Sequence, residues 1–294
     1  MRITRSGKKI LLGIAAVVLV VGVCIAAYLA GGRRQMLPED YPLNVFFFDV
    51  GEGDCELLRC EDVNVLIDGG EVDCAYKTEQ YLRACGVETI DCYILTHPHS
   101  DHIGAASHII SSFTVSQVMT TAFTELNLPT TKAYDDMLSA VEAAGTELLH
   151  VSGGQSYDFG PLHLDILSPL ADTDDYNDMS ITVRAAYKSS SFLLMGDASS
   201  AVEAQLLNAD ITLQSNVLKT GHHGSDSATS EPFLKAAAPD YAVISCGAGN
   251  LYGHPSPQTL NLLMKYEAEI LRTDVNGTIQ FYGNGKKLFV KTAA

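Results

Sequence analysis

The chain has 294 residues, of which 47% are hydrophobic and 18% charged, a balance that excludes a disordered chain and a charged coiled coil. Its formal net charge is −16, but the first 34 residues hold six basic side chains (Arg2, Arg5, Lys8, Lys9, Arg33 and Arg34) and no acidic one, so the remainder carries 13 basic against 35 acidic residues, a net of −22. A body that acidic excludes tight holding of a polyanion by bulk electrostatics, because such binding rests on Lys and Arg at phosphates.

Residues 10–30 run 21 positions without a charge. A helix needs about 20 apolar residues to cross the hydrocarbon core, so this run predicts a single transmembrane anchor. The basic residues ahead of it place residues 1–9 in the cytoplasm and the body outside it, in a single-pass topology. A cleaved signal peptide, which would leave a secreted protein, is the alternative. Residues 31–42, with Gly31, Gly32, Pro38 and Pro42, read as a linker. Residues 43–294 read as one domain, since no internal stretch is long or polar enough to divide them.

Within that body, strand-like runs are predicted at 43–48, 56–60, 63–67, 92–96, 115–119, 162–167, 180–187, 191–195, 216–219, 241–245, 270–273, 278–282 and 287–291. Helical patterns are predicted at 76–85, 103–111, 131–144, 200–208, 231–237 and 257–266. Early hairpin-like strands followed by strand–helix alternation predict a mixed sheet covered by helices, or two such sheets face to face. Six cysteines lie beyond the anchor: Cys55, Cys60, Cys74, Cys85, Cys92 and Cys246. An even number in an oxidising compartment permits disulfides, although Cys92 and Cys246 sit in strand-like runs and read as core.

The chemistry concentrates in Thr96-His97-Pro98-His99-Ser100-Asp101-His102, between an apolar strand and a helix opening at Ile103-Gly104. His97 and His99 alternate and so share one side of an extended segment. Asp101 and His102 stand at the helix entrance. Imidazole nitrogens and a carboxylate so placed supply ligands for one or two divalent metals. Asp49 and Asp68 each end an apolar strand, and Asp54 follows closely; any of them would fix the tautomer of a ligating histidine, or serve as a turn residue. His254, in a loop between Gly253 and Pro255, is a candidate substrate contact or proton donor. Lys219 would meet a phosphate or stand as a solvated strand end.

The pattern H-x-H-x-D-H resembles the signature of the metallo-β-lactamase superfamily, and later motifs follow in order. Asp197, in Leu194-Met195-Gly196-Asp197, resembles the aspartate that bridges two metals. Gly221-His222-His223-Gly224-Ser225 resembles the segment of the later histidine ligand. Together with Phe48-Asp49-Val50-Gly51-Glu52-Gly53-Asp54, Leu66-Ile67-Asp68-Gly69-Gly70 and Asn250-Leu251-Tyr252-Gly253-His254-Pro255, these motifs resemble the carboxy-terminal hydrolase domain of ComEC-type DNA-uptake proteins. The resemblance implies an α+β fold, the four-layer αββα sandwich of metallo-β-lactamases.

It also implies two divalent metal ions, Zn or Mn. His97, His99 and Asn177 or Asp178 would serve the first. Asp101, His102 and His222 would serve the second, with Asp197 bridging, Asp101 orienting the nucleophile, and His223 left to bind substrate or donate a proton. The wider superfamily has a histidine about where Asn177 stands, 20 residues before Asp197, so an oxygen donor there would favour Mn²⁺. The function expected is a membrane-anchored phosphodiesterase or nuclease acting on extracytoplasmic nucleic acid, with a DNA-uptake channel protein as a partner. Two other readings stand beside it: a hydrolase of a small ester, lactone or phosphocholine-type substrate, and a non-catalytic metal-bearing module docked to such a channel.

Overall fold

The computed structural model describes residues 41–293 apart from Leu126 and Asp210. The predicted anchor at 10–30 and most of the linker lie outside the described residues. Among those described, no helix is long and apolar enough to cross a membrane.

Among the described residues, seventeen strands follow in chain order. They are β1 (Leu43–Phe47), β2 (Glu56–Cys60), β3 (Val63–Ile67), β4 (Thr89–Ile90), β5 (Cys92–Ile94), β6 (Thr114–Val115), β7 (Gln117–Thr121), β8 (Glu147–Val151), β9 (Gln155–Phe159), β10 (Leu162–Ser168), β11 (Thr182–Tyr187), β12 (Ser190–Leu194), β13 (Val217–Lys219), β14 (Tyr241–Ile244), β15 (Glu269–Arg272), β16 (Ile279–Gly283) and β17 (Leu288–Thr292). One sheet has eight strands in the order β17-β16-β1-β2-β3-β5-β7-β8, and the other seven in the order β15-β14-β13-β12-β11-β10-β9. Strands β4 and β6 pair separately.

Both sheets change character along their width. β1, β2 and β3 form an antiparallel meander, as do β9 to β12. β3, β5, β7 and β8 are then parallel, and so are β12 to β15. Parallel neighbours need long crossovers, usually helical, and these supply the covering helices. Ala75–Ala84, Ala106–Ser112 and Lys132–Ala144 cover the first sheet, and Ser200–Asn208, Glu231–Ala237 and Pro257–Lys265 the second.

The period of two in each strand sorts its residues between layers. In β1, Leu43, Val45 and Phe47 join the core between the sheets, together with Val183, Phe192 and Val217 from the opposite sheet. Phe46 points the other way, into the layer beneath the helices with Leu57, Leu66 and Tyr93. A third apolar layer, with Leu193, Leu218 and Leu263, lies outside the second sheet. The fold is the four-layer αββα sandwich.

Three expectations are revised. The helix expected over 103–111 is two pieces, Ser100–Ile103 and Ala106–Ser112, because the Ala105 N–H donates to Gly70 O at 3.0 Å and Asp101 O accepts from Asp54 N, so the ladder is interrupted beside Gly104, which lies close against backbone. A Cβ there would stand 2.4 Å from both Ser100 O and Val72 N. β8 and β9 were not expected from the sequence; both are sheet edges, β9 with exposed polar side chains such as Gln155, Ser156 and Asp158, and β8 short and only partly buried through Leu148, Leu149 and Val151. The six cysteines are free thiols, all buried. They behave as small apolar core residues.

Candidate metal centre

The carboxyl ends of β3, β5, β12 and β13 open at one end of the sandwich, where such sheets place their ligands. Each delivers part of one cluster. Asp68 ends β3 in a left-handed conformation, φ 51°, and is fully buried. Its Oδ1 accepts the Thr96 N–H at 2.9 Å, and its Oδ2 accepts the Thr96 hydroxyl at 2.6 Å. That same Oδ2 lies 2.7 Å from His102 Nδ1. The carboxylate therefore holds the proton on Nδ1 and leaves a lone pair on Nε2. His223 is fixed in the same sense by a backbone oxygen, with Nδ1 3.0 Å from Ser245 O.

His222 and His223 follow β13 in consecutive left-handed conformations, φ 49° and 53°. This reversal is laced to the loop after β12. His222 N donates to Gly196 O at 3.0 Å, and a Cβ on Gly221 would stand 2.6 Å from Ala198 O. Asp197, in that loop, donates its N–H to Ser180 Oγ at 3.1 Å.

The side chains then converge. His102 Nε2 lies 3.2 Å from Asp197 Oδ1, and His223 Nε2 lies 3.2 Å from Asp101 Oδ2 and 3.5 Å from Asp197 Oδ1. On the other side, His97 Nε2 is 3.0 Å from His99 Nδ1 and 3.7 Å from Asp197 Oδ2. Two groups result, Asp101-His102-Asp197-His223 and His97-His99-Asp197, each with its ligand atoms within 4.8 Å of one another. Asp197 belongs to both.

The donor set fits a pair of divalent cations. Among the described residues, His102 Nε2, His223 Nε2, Asp197 Oδ1 and Asn177 Oδ1 are buried with no hydrogen-bond partner. Buried polar atoms are normally paired, so these orphans, three of them in the one group Asp101-His102-Asp197-His223, need an explanation. Nitrogen and oxygen lone pairs facing one another are satisfied together by a cation between them, and imidazole with carboxylate suits Zn or Mn. Charge points the same way. Burial holds His97 well below the ordinary histidine value, in its neutral ligating form. Burial opposes charge on His223 as well, yet Asp197, Asp101 and Asp54 overcome it and push its pKa up to about 10. His102 is raised likewise, against burial, by Asp197 and Asp68. The cluster demands positive charge, which metal ions supply as well as protons do.

The other candidate residues fall as follows. The expectation set His222 beside Asp101 and His102, but the structure sets His223 there. His222 stands on the cleft wall, its side chain 27% exposed and its Nε2 3.8 Å from Asp197 Oδ2. Lys219 does not reach the cleft: it is fully buried, with Nζ 2.5 Å from Asp54 Oδ2. The strand in which it ends is covered on both faces, so neither a phosphate nor solvent meets it. Asp54 thus serves Lys219, and also lies 3.4 Å from His223 Nδ1. Asp49 is a turn residue whose Oδ1 accepts the Gly51 N–H at 3.2 Å, with Lys77 nearby. Asp178 accepts the Ser199 N–H at 3.1 Å and so anchors the entry to Ser200–Asn208.

His254 does line the cleft, with Nδ1 3.1 Å from Glu52 Oε1. Sequence reasoning gave no role to Glu52, which also accepts the Gly247 N–H. Its place in Gly51-Glu52-Gly53 was the available signal, since an acid between two glycines marks a tight polar turn. The cleft holds about 760 Å³ and is lined by His99, Asp101, Asn177, Asp197, His222, His223 and His254 together with Val72, Thr131, Lys132 and Tyr252.

The sequence profile of the metallo-beta-lactamase superfamily matches residues 49–248. ComE operon protein 3 of Bacillus subtilis (strain 168) is 30% identical over 257 residues, which cover 81% of this chain and 32% of that protein. Competence protein ComA of Neisseria gonorrhoeae is 29% identical over 262 residues, 87% of this chain and 35% of that protein. The chain therefore spans about a third of the length of these relatives. Among solved structures, the metallo-beta-lactamase fold protein YhfI from Bacillus subtilis superposes with a TM-score of 0.54 at 10% identity, covering 84% of this chain and 99% of that one. CmlA, a diiron beta-hydroxylase from Streptomyces venezuelae, superposes with a TM-score of 0.53 at 15% identity, covering 80% of this chain and 54% of that one. At such identities these structures speak to the fold alone. The profile spans most of the described body and includes both ligand groups, and the chain belongs to the metallo-β-lactamase superfamily.

Proposed function

We propose that this chain is a metal-dependent phosphodiesterase that cuts nucleic acid outside the cytoplasm, tethered by residues 10–30. The observation that carries the reading is the pair of ligand groups sharing Asp197 at the base of an open cleft. Two-metal sites of this kind suit in-line displacement at phosphorus. One relative's designation as a competence protein, together with the likeness of the motifs to ComEC-type DNA-uptake proteins, supports a nucleic-acid substrate and a DNA-uptake channel as partner.

His97, His99 and Asp197, with Asn177 lining the same cleft, would hold one ion; Asp101, His102, Asp197 and His223 would hold the other. Bound there, divalent metals supply Lewis-acid activation of water and of the phosphoryl group. The chain's own contribution is preorganisation. Asp68 and Ser245 O keep a proton on Nδ1 of His102 and His223, so the Nε2 of each is the nitrogen turned toward a cation, which takes the place of any proton there. His254, held through Nδ1 by Glu52, stands across the cleft within 5.4 Å of the His222 ring and 6.0 Å of the His223 ring. From there its other nitrogen is placed to give a proton to the departing oxygen.

One observation favours a small ester or lactone instead. Lys132 is the only lysine or arginine among the described residues lining the cleft, and Asp136 holds its Nζ at 2.5 Å. The test is an assay of the full chain in detergent with Mn²⁺ or Zn²⁺ on single- and double-stranded DNA and on a lactone panel. Metal-dependent DNA cleavage that His99→Ala and Asp197→Ala abolish supports the proposal. Turnover of lactones alone contradicts it, and turnover of nothing returns the non-catalytic module.

A further inference from the structure

Tyr252 stands in the wall of the cleft with 75% of its surface exposed, and its neighbour Leu251 is 99% exposed. Large apolar side chains left in water at the mouth of a cleft mark a contact surface. The loop that carries them is held firmly. Asn250 Nδ2 donates to Gly247 O at 2.9 Å and to His254 O at 2.6 Å, and His254 N donates back to Asn250 Oδ1 at 3.0 Å. Gly249 and Gly253, at φ 68° and 78°, turn the chain on either side of the tip. Glu52 ties the base of the loop by accepting from Gly247 N and meeting His254 Nδ1. One face of the Tyr252 ring lies on His254, with centroids 5.6 Å apart and planes inclined by 18°. The opposite face is left to solvent among the described residues, as the exposure of Tyr252 requires.

The charges around the cleft narrow what that open face meets. Its lining includes Glu52, Glu71, Asp101, Asp136 and Asp197, against the already paired Lys132. A phosphodiester strand entering here finds few cations away from the reacting centre, so its hold must come from uncharged contacts. A nucleobase offers such a contact to an aromatic ring, and base stacking is insensitive to the surrounding negative charge in a way that phosphate contacts are not.

We propose that Tyr252 is a stacking platform for a nucleobase adjoining the scissile phosphodiester, making it a specificity-determining residue for an unpaired strand. The inference rests on the phosphodiesterase reading. The experiment uses the full chain, with an oligothymidylate and an abasic strand of equal length as probes. Tyr252→Ala is expected to raise KM on oligothymidylate about 5- to 100-fold with little change in kcat, and to leave cleavage of the abasic strand unaltered; Tyr252→Phe is expected to behave as the native chain. The chain contains no tryptophan, so Tyr252→Trp places a sole tryptophan at the platform, which can be excited apart from the tyrosines. Its emission should be quenched by oligothymidylate and not by the abasic strand. Equal KM values for the native chain and Tyr252→Ala, or equal quenching by both strands, would overturn the stacking role and leave the phosphodiesterase reading intact. Selective quenching without turnover of either strand would uphold stacking and overturn the phosphodiesterase reading. Neither quenching nor turnover would overturn both.

Discussion

Asp68 Oδ2 and His102 Nδ1 meet at 2.7 Å across 34 residues of chain, both side chains fully buried. The contact joins the end of β3 to the short helix that follows β5, and it sets which nitrogen of His102 faces the cluster. Asp68→Asn keeps the shape but offers an amide in place of the carboxylate. Metal affinity should fall about 10- to 100-fold, as measured by competition with a chromophoric chelator. Unchanged affinity would show that the pair is structural only.

The adjacent histidines should separate in metal stoichiometry. His223→Ala removes a nitrogen that lies 3.2 Å from Asp101 Oδ2 and should cost one equivalent of bound metal. His222→Ala removes a partly exposed side chain 3.8 Å from Asp197 Oδ2 and should retain both. Elemental analysis of the purified variants decides between them, and the reverse order would restore His222 to the second group.

Lys219 and Asp54 form an ion pair sealed in the interior, 2.5 Å apart. Burial pulls the Asp54 carboxyl up, but Lys219, aided by His223, outweighs it and holds it below its ordinary value. Breaking such a pair strands a charge in the interior, away from water. Lys219→Met should lower unfolding stability by about 3–5 kcal/mol in urea titration, and Asp54→Leu combined with Lys219→Met should recover much of it. A loss of less than about 1 kcal/mol in the single variant, the size of a surface pair, would contradict the assignment.

Glu203 carries a pH signature away from the cluster. Its carboxylate accepts N–H groups from Thr229 at 2.6 Å and Ser230 at 2.7 Å, at the start of Glu231–Ala237. Burial nevertheless raises its pKa above the ordinary 4.5, since those hydrogen bonds only partly offset desolvation. The fold therefore binds this proton more tightly than the unfolded chain does. Its contribution is greatest below about pH 4.5 and declines as pH rises toward the folded value. Glu203→Gln should remove that decline from a series of urea titrations across the window. An identical slope in the native chain and the variant would assign the dependence elsewhere.

Much of this was legible in the chain. The alternation in β1 to β3, the six main helices and the ligand-bearing loop all announced themselves, because each depends on local period or on a run of rare residues. Thr131 and Gly145 bound the helix Lys132–Ala144 much as their types suggest, with Thr131 accepting the Tyr134 N–H and Gly145 left-handed at φ 66°. What escaped depends on tertiary contact. The choice between His222 and His223 is made by two left-handed residues laced to Gly196. Lys219 ends a strand as an exposed lysine would, and only the second sheet's covering layers and the distant Asp54 show it to be interior. Glu52 acquires its role through Gly247 and His254, about 200 residues away.

The central claim is that two metal ions share Asp197. It is tested most directly by anomalous diffraction from crystals of the protein grown with Zn²⁺ or Mn²⁺, collected on either side of the metal absorption edge. Two peaks are predicted, one among His97, His99 and Asp197 and one among Asp101, His102, Asp197 and His223, with both lost in Asp197→Ala. A single peak, or metal bound away from Asp197, would contradict the account.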